Sequence, residues 1–176
     1  MNIFVVDKHP ILAAQQLPDR HVTKMVLESC QLLSIVFSKW YHNWGNIHRT
    51  NGEPYATQKG AFRNHPCTIW SAQNEHNLAW LIAHGCPLSA EYTHRYGKIH
   101  SCNSTLLEAK QIFHKKTGKA ITIHSMVKKF TRAMPDDIKY NETIDDVTAY
   151  RKYVNTKEWV TLNYLRCPER KPQWVT

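Results

Sequence analysis

The chain has 176 residues, 42% of them hydrophobic, and a formal charge of +9 from 23 Lys and Arg against 14 Asp and Glu. That length and apolar fraction suit one core, so a single domain over residues 1–176 is expected, and the basic balance points to a polyanion, nucleic acid before membrane. Five cysteines, odd in number and nowhere spaced Cys-x-x-Cys, argue against a disulfide framework and a zinc ribbon. The first residues carry no basic n-region and no stretch approaches the roughly eighteen apolar residues of a membrane span, so a cytoplasmic protein (in a host cytoplasm, if viral) is expected.

Residues 2 to 6, Asn-Ile-Phe-Val-Val, are β-branched and aromatic. They predict an extended arm that ties the N-terminus to the core. Pro10 to Gln16 reads as a short helix with Pro in its first turn. The stretch from Asp19 to Tyr41 reads as one long amphipathic helix, with Asp19 as its N-cap. Val22, Met25, Val26, Cys30, Leu33, Val36 and Phe37 recur at three- and four-residue spacing and form its apolar face. From His42 to Asn64 the pattern gives way to loop chemistry, a length that points to function or to unread structure.

Three further helices are predicted: Thr68 to His84 with Gly85 just past its end, Pro87 to about His100 with Gly97 bending or ending it, and Ser101 to Lys116. Lys119 to Met134 mixes apolar Ile121, Ile123 and Val127 with four cations. A last helix is expected from Ile144 to about Tyr164, capped by Thr143, followed by a basic surface tail over 165–176. The sum is a mostly α bundle of four to six helices with an extended N-terminal arm.

Several constellations could carry chemistry. His21, Lys24, Glu28 and Gln31 fall at i, i+3, i+7 and i+10 and form one stripe on the long helix. A base, an amine, a carboxylate and an amide in one row suit catalysis; they equally suit the solvated side of an ordinary helix. Arg63-Asn64-His65-Pro66 is either a functional corner or a turn in which Asn and His satisfy the backbone before a helix. In Glu91–Lys98, Glu91, Arg95 and Lys98 share a face beside Tyr92 and Tyr96. Such interleaving suits phosphate contact with base stacking, or a surface helix with one i,i+4 pair. No His-Glu-x-x-His run is present, His94 and His100 are six apart, and His65 and Cys67 have no second pair nearby, so no metal site and no cofactor is expected. Nucleophile elbows and phosphate-binding glycine loops are also missing.

Asp19-Arg20-His21, with Glu28 seven residues past the His on the first long helix, resembles the pyrimidine-dimer DNA glycosylase and AP-lyase family of the phage endonuclease V type. That family carries Asp-x-His near the helix start and a catalytic Glu seven residues past the His. Lys59-Gly60-Ala61-Phe62-Arg63-Asn64-His65-Pro66 is similar to the Lys-x-Gly-Tyr-x-Asn-His-Pro corner of bacterial relatives, and the likeness covers residues 1 to 70.

The resemblance implies a nucleophile that is the chain's α-amine. An α-amine has a reference pKa of about 7.7–8.0, so part of it is neutral at physiological pH. Attack at C1′ gives an imine, and a glutamate assists base loss and removes a C2′ proton before β-elimination. The implied roles fall on Met1 for the amine and Glu28 for the carboxylate. His21 would contact phosphate or sugar, and Lys24 would hold the carboxylate or a phosphate. A DNA-binding surface of Arg20, Arg63, Asn64, His65, Arg95 and Lys98 is expected, on damaged or abasic double-stranded DNA, with the protein a monomer.

Two features depart from the family. Members lose the initiator Met and expose a small residue, whereas Asn2 favours retention of Met1. Leu27 and Gln31 stand where arginines are expected, which bears on lesion recognition more than on lyase chemistry. Lys24 or Lys8 could supply the imine instead if burial lowered its pKa. Two other readings are a nucleic-acid-binding protein without activity and an enzyme acting on free nucleotides.

Overall fold

The computed structural model describes residues 1–121 and 127–176. It is mostly helical, at 53% helix, with no strand among the described residues. The helices are α1 (Pro10–Gln15), α2 (Asp19–Phe37), α3 (Pro66–Ala72), α4 (Glu75–Tyr96), α5 (Asn103–Thr117), α6 (Asp136–Lys139) and α7 (Asp146–Asn155). Short 3-10 turns span Ala56–Lys59 and Pro168–Arg170.

α2 is the central element. All seven residues of its predicted apolar face are buried. It packs on α4, α3, α5 and the 3-10 turn at Ala56–Lys59, while α4 also carries α1 and α5. Burying each Val or Leu of this face contributes about 1.5–3 kcal/mol relative to leaving it in water. The helix stops at Phe37, four residues short of the predicted end. Ser38 adopts an extended backbone, its hydroxyl donates to Ile35 O at 2.7 Å, and Trp44 N donates to Phe37 O at 2.7 Å.

Asp19 is not the N-cap. That position belongs to Pro18, and the first amides of α2 are satisfied from the far end of the chain: Asp19 N donates to Asn163 O and Arg20 N to Asn163 Oδ1, each at 2.7 Å. The Asp19 carboxylate is thereby free to accept from Arg95 Nη1 at 3.0 Å and Arg166 N at 3.1 Å.

The N-terminal arm is buried over residues 2–6 but forms no strand. Phe4 has φ of 38°, a left-handed conformation costly for a bulky residue, which breaks the extended run. The Asn2 side chain fixes this turn. Its Oδ1 accepts from Ile3 N at 2.7 Å and Phe4 N at 3.1 Å, and its Nδ2 donates to Ala133 O at 2.6 Å.

The loop between α2 and α3 holds a His48–Pro54 bridge and the 3-10 turn, which the residue pattern did not reveal. Gly60, at φ 103°, lies against the Trp40 indole; a Cβ there would sit 2.7 Å from the ring. The predicted helix over Thr68–His84 is two helices, divided where Asn74 caps α4 by accepting from Asn77 N at 2.9 Å. Gly85 does not end a helix. It lies inside α4, where a Cβ would come 2.8 Å from Leu106 Cδ2, so its role is the close crossing of α5. α4 continues through Pro87 to a left-handed C-cap at Gly97.

α7 is capped by Asp145, which accepts from Thr148 N at 2.7 Å; Thr143 instead hydrogen-bonds Asn141 Oδ1. The helix ends at Asn155, so Trp159 and Val160 lie in the turn beyond it. Ile121 and Val127 pack against the core, and Ile123 lies outside the described residues. The C-terminal segment is not a loose tail. Cys167 and Val175 are buried, and Trp174 Nε1 donates to Gln16 Oε1 at 2.9 Å. The hydrophobic cluster accordingly takes in residues from Ile3 to Val175.

Candidate active site

Glu28 faces a cleft of about 400 Å³ lined by Met1, Asn2, Phe4, Arg20, His21, Lys24, Met25, Glu28, Tyr153, Lys157 and Trp159. The solvated-helix reading of the stripe is therefore corrected for two of its members: His21 and Glu28 are buried, while Lys24 is exposed. Helical spacing sets the row on one side of α2, and the N-terminal arm with the turn after α7 closes over it.

Glu28 Oε2 accepts from the backbone N of Asn2 at 2.9 Å, and Oε1 lies 3.3 Å from Lys24 Nζ, an i,i+4 pair. These two contacts tie the start of the chain to the carboxylate. The Asn2 side chain, donating to Ala133 O, anchors that residue. Lys24 is 69% exposed at its side chain and Lys8 is exposed, so neither is buried in the cleft.

An aromatic stack forms one wall. The Phe4 ring lies between His21, at 4.0 Å between centroids, and Tyr153, at 5.7 Å. Trp159 meets His21 edge-on at 5.3 Å. The strained Phe4 backbone is what turns this ring into the stack. Cations ride on the same wall: Arg20 lies over Trp159 at 5.1 Å and Lys157 Nζ over Tyr153 at 4.3 Å. Tyr153, Lys157 and Trp159 carry no local signal as site residues because they lie 125 to 131 positions from Glu28 in sequence.

Burial, reinforced by the charges of Lys157 and Lys24, lowers His21 to about 3. It is a neutral imidazole at physiological pH in the DNA-free protein. Its Nδ1 is buried with no hydrogen-bond partner among the described residues.

The Arg63–Pro66 corner divides. His65 caps α3, its Nδ1 accepting from Cys67 N at 3.2 Å. Burial and then the positive chain terminus hold His65 below its ordinary value, against the opposing pull of Glu28. His65 thus lies within electrostatic reach of the terminus and Glu28. Arg63 and Asn64 are exposed, with the Arg63 guanidinium 4.6 Å above the Trp40 ring. Beside them Phe62 is 56% exposed at a left-handed φ of 62°.

Arg95 does not face solvent. Its side chain is fully buried, donating Nε to Glu91 Oε1 at 2.8 Å, Nη1 to Leu17 O and Asp19 Oδ1, and Nη2 to Gln15 O. Every nitrogen is engaged inside the fold, so Arg95, contrary to the expectation from its helix face, is not available to a DNA surface. The periodicity placed it on a helix face correctly but could not show that α1 covers that face. Lys98, past the end of α4, is exposed.

The sequence profile of one family, described as pyrimidine dimer DNA glycosylase, matches residues 1–104. Comparison with curated proteins and with solved structures gave no match. The matched span holds α1 to α4, Asn2, His21, Lys24, Glu28 and the His65 corner; the wall of Tyr153, Lys157 and Trp159 lies beyond it. The chain belongs to the pyrimidine dimer DNA glycosylase family, a family of DNA-repair glycosylases.

Proposed function

We propose that the protein is a DNA glycosylase with AP-lyase activity, acting on damaged or modified pyrimidines and on abasic sites in duplex DNA. The observation that carries this reading is the 2.9 Å hydrogen bond from Asn2 N to Glu28 Oε2, which holds the first residues of the chain against a buried carboxylate in a basic, aromatic cleft.

The neutral α-amine of Met1 attacks C1′, and the glycosidic bond breaks as the base leaves with a proton. The sugar ring opens to the imine. Glu28 assists base departure, then accepts a C2′ proton, and the 3′ phosphate leaves by β-elimination; water releases the amine from the imine. Removal of Met1 would make the Asn2 nitrogen, already at Oε2, the attacking amine. Extruding the nucleotide costs a few kcal/mol, least at a lesion. The aromatic wall offers stacking for the displaced base, and Arg20, Lys24 and Lys157 offer phosphate contacts. Arg63, Asn64, Lys98 and exposed Phe62 extend the same contact along the duplex.

Strand scission tests the reading, with ultraviolet-irradiated and abasic duplexes as substrates. Wild type should nick both, and Glu28→Gln should bind them and nick them far more slowly. Binding without scission by wild type would favour a DNA-binding protein lacking activity, and undiminished scission by Glu28→Gln would remove the carboxylate from the mechanism.

A further inference from the structure

We propose that His94, Cys167 and Glu169 form a site for a divalent transition-metal ion of zinc type that fastens the C-terminal segment to α4. His94 lies in the last turn of α4; Cys167 precedes the 3-10 turn that contains Glu169. Residues 73 apart are brought together, which is why local Cys and His spacing gave no sign of them.

The donor spacing supports the assignment. His94 Nε2 lies 3.5 Å from Cys167 Sγ, Cys167 Sγ lies 2.8 Å from Glu169 Oε1, and the three donor atoms lie within 4.8 Å of one another. Zinc bonds of about 2.3 Å to sulfur and 2.0–2.1 Å to nitrogen, at a tetrahedral angle, put S and N about 3.5 Å apart. The Cys–His pair already has that separation. The Cys–Glu pair is closer than a coordination edge, so Glu169 moves outward on binding, and its exposed position leaves room.

The charge also balances. A thiolate, a carboxylate and a neutral imidazole neutralise a 2+ ion, and the thiol proton passes to solvent on binding. His94 and Glu169 are exposed, so water can fill a fourth position. The backbones that carry the donors are fixed beforehand. Arg166 N donates to Asp19 Oδ2 at 3.1 Å, and Arg170 Nε lies 3.2 Å from Glu91 Oε1, so little ordering remains to be done when the ion arrives.

None of the three residues lines the Glu28 cleft, so the site is structural and independent of the proposed chemistry. Cys167 and Glu169 lie beyond the residues matched by the family, whereas His94 lies within them. The ion therefore joins a segment outside the matched residues to α4, which lies within them. Among the described residues no other group of three or more His, Cys, Asp or Glu side chains has this convergence.

Cobalt(II) titration of the chelator-treated full chain tests the site, because a thiolate ligand gives cobalt a charge-transfer absorption. One equivalent should bind with that band and be displaced by zinc. Cys167→Ser should lose the band, and His94→Ala and Glu169→Gln, both at exposed positions, should each weaken binding by at least about tenfold. Zinc should raise the melting temperature of wild type but not of Cys167→Ser. Absence of saturable binding to wild type would overturn the proposal. So would a cobalt band that persists unchanged in His94→Ala and Glu169→Gln, which would place the ion on other cysteines.

Discussion

The backbone nitrogen of Asn2 donates to Glu28 Oε2 at 2.9 Å, joining the second residue of the chain to the buried carboxylate of its central helix. Asn2 is itself fixed by Ala133 O through Nδ2, and its Oδ1 turns the chain so that Phe4 enters the site.

Replacing Glu28 by Gln should separate chemistry from folding. A Gln Oε1 can still accept from Asn2 N, so the far-UV circular dichroism should be that of wild type. Loss of the carboxylate as proton acceptor should slow single-turnover strand scission by about 10²–10⁴-fold.

Arg95 should matter for stability and not for DNA contact. Arg95→Met leaves Asp19 buried without its cation and Glu91 with Arg170 alone, which should cost about 3–5 kcal/mol in urea unfolding. Arg95→Lys should rescue little, because one ammonium cannot serve Glu91, Asp19 and two carbonyls from the positions the guanidinium fork occupies.

Acid should destabilise the fold through its buried imidazoles. His21 is lowered to about 3 and His84 to about 4, each chiefly by burial, from 6.5. Between pH 6.5 and those values the unfolded chain binds more protons than the native one. The stability these neutral side chains contribute is complete above pH 6.5 and is lost as the pH falls toward 4 and 3, by up to about 1.4 kcal/mol per pH unit for each. Urea midpoints across pH 4 to 7 check this, and His84→Gln should flatten the profile.

Arg20, which is exposed, and Lys157, which is half-buried, should both appear in the salt dependence of binding. Arg20→Ala and Lys157→Ala should each lower duplex affinity and reduce the slope of log K against log salt by about 0.9. Fluorescence anisotropy at several salt concentrations gives both quantities.

Much of the frame was readable in the residues. The apolar period of α2 marked its buried face, and His21, Lys24 and Glu28 fell on the row that lines the cleft. Two kinds of information were not local. Asp19 is a suitable capping residue, but Asn163 satisfies those amides and leaves the Asp19 carboxylate to Arg95. Gly85 and Pro87 are ordinary helix breakers, yet α4 runs through both, and Gly85 is where Leu106 of α5 comes close. Tyr153, Lys157 and Trp159 were not legible for the same reason: α7 and the turn after it bring them to the cleft through tertiary packing, and no spacing within their own segment marks it.

Mass analysis of a borohydride-trapped adduct tests the central claim most directly. Wild-type protein is reduced on an abasic duplex and digested, and the residue carrying the sugar is identified. The account predicts the adduct on the α-nitrogen of the chain's first residue, Met1 or, after its removal, Asn2, with trapping lost when that amine is blocked. An adduct on a lysine side chain, or no adduct, would contradict it.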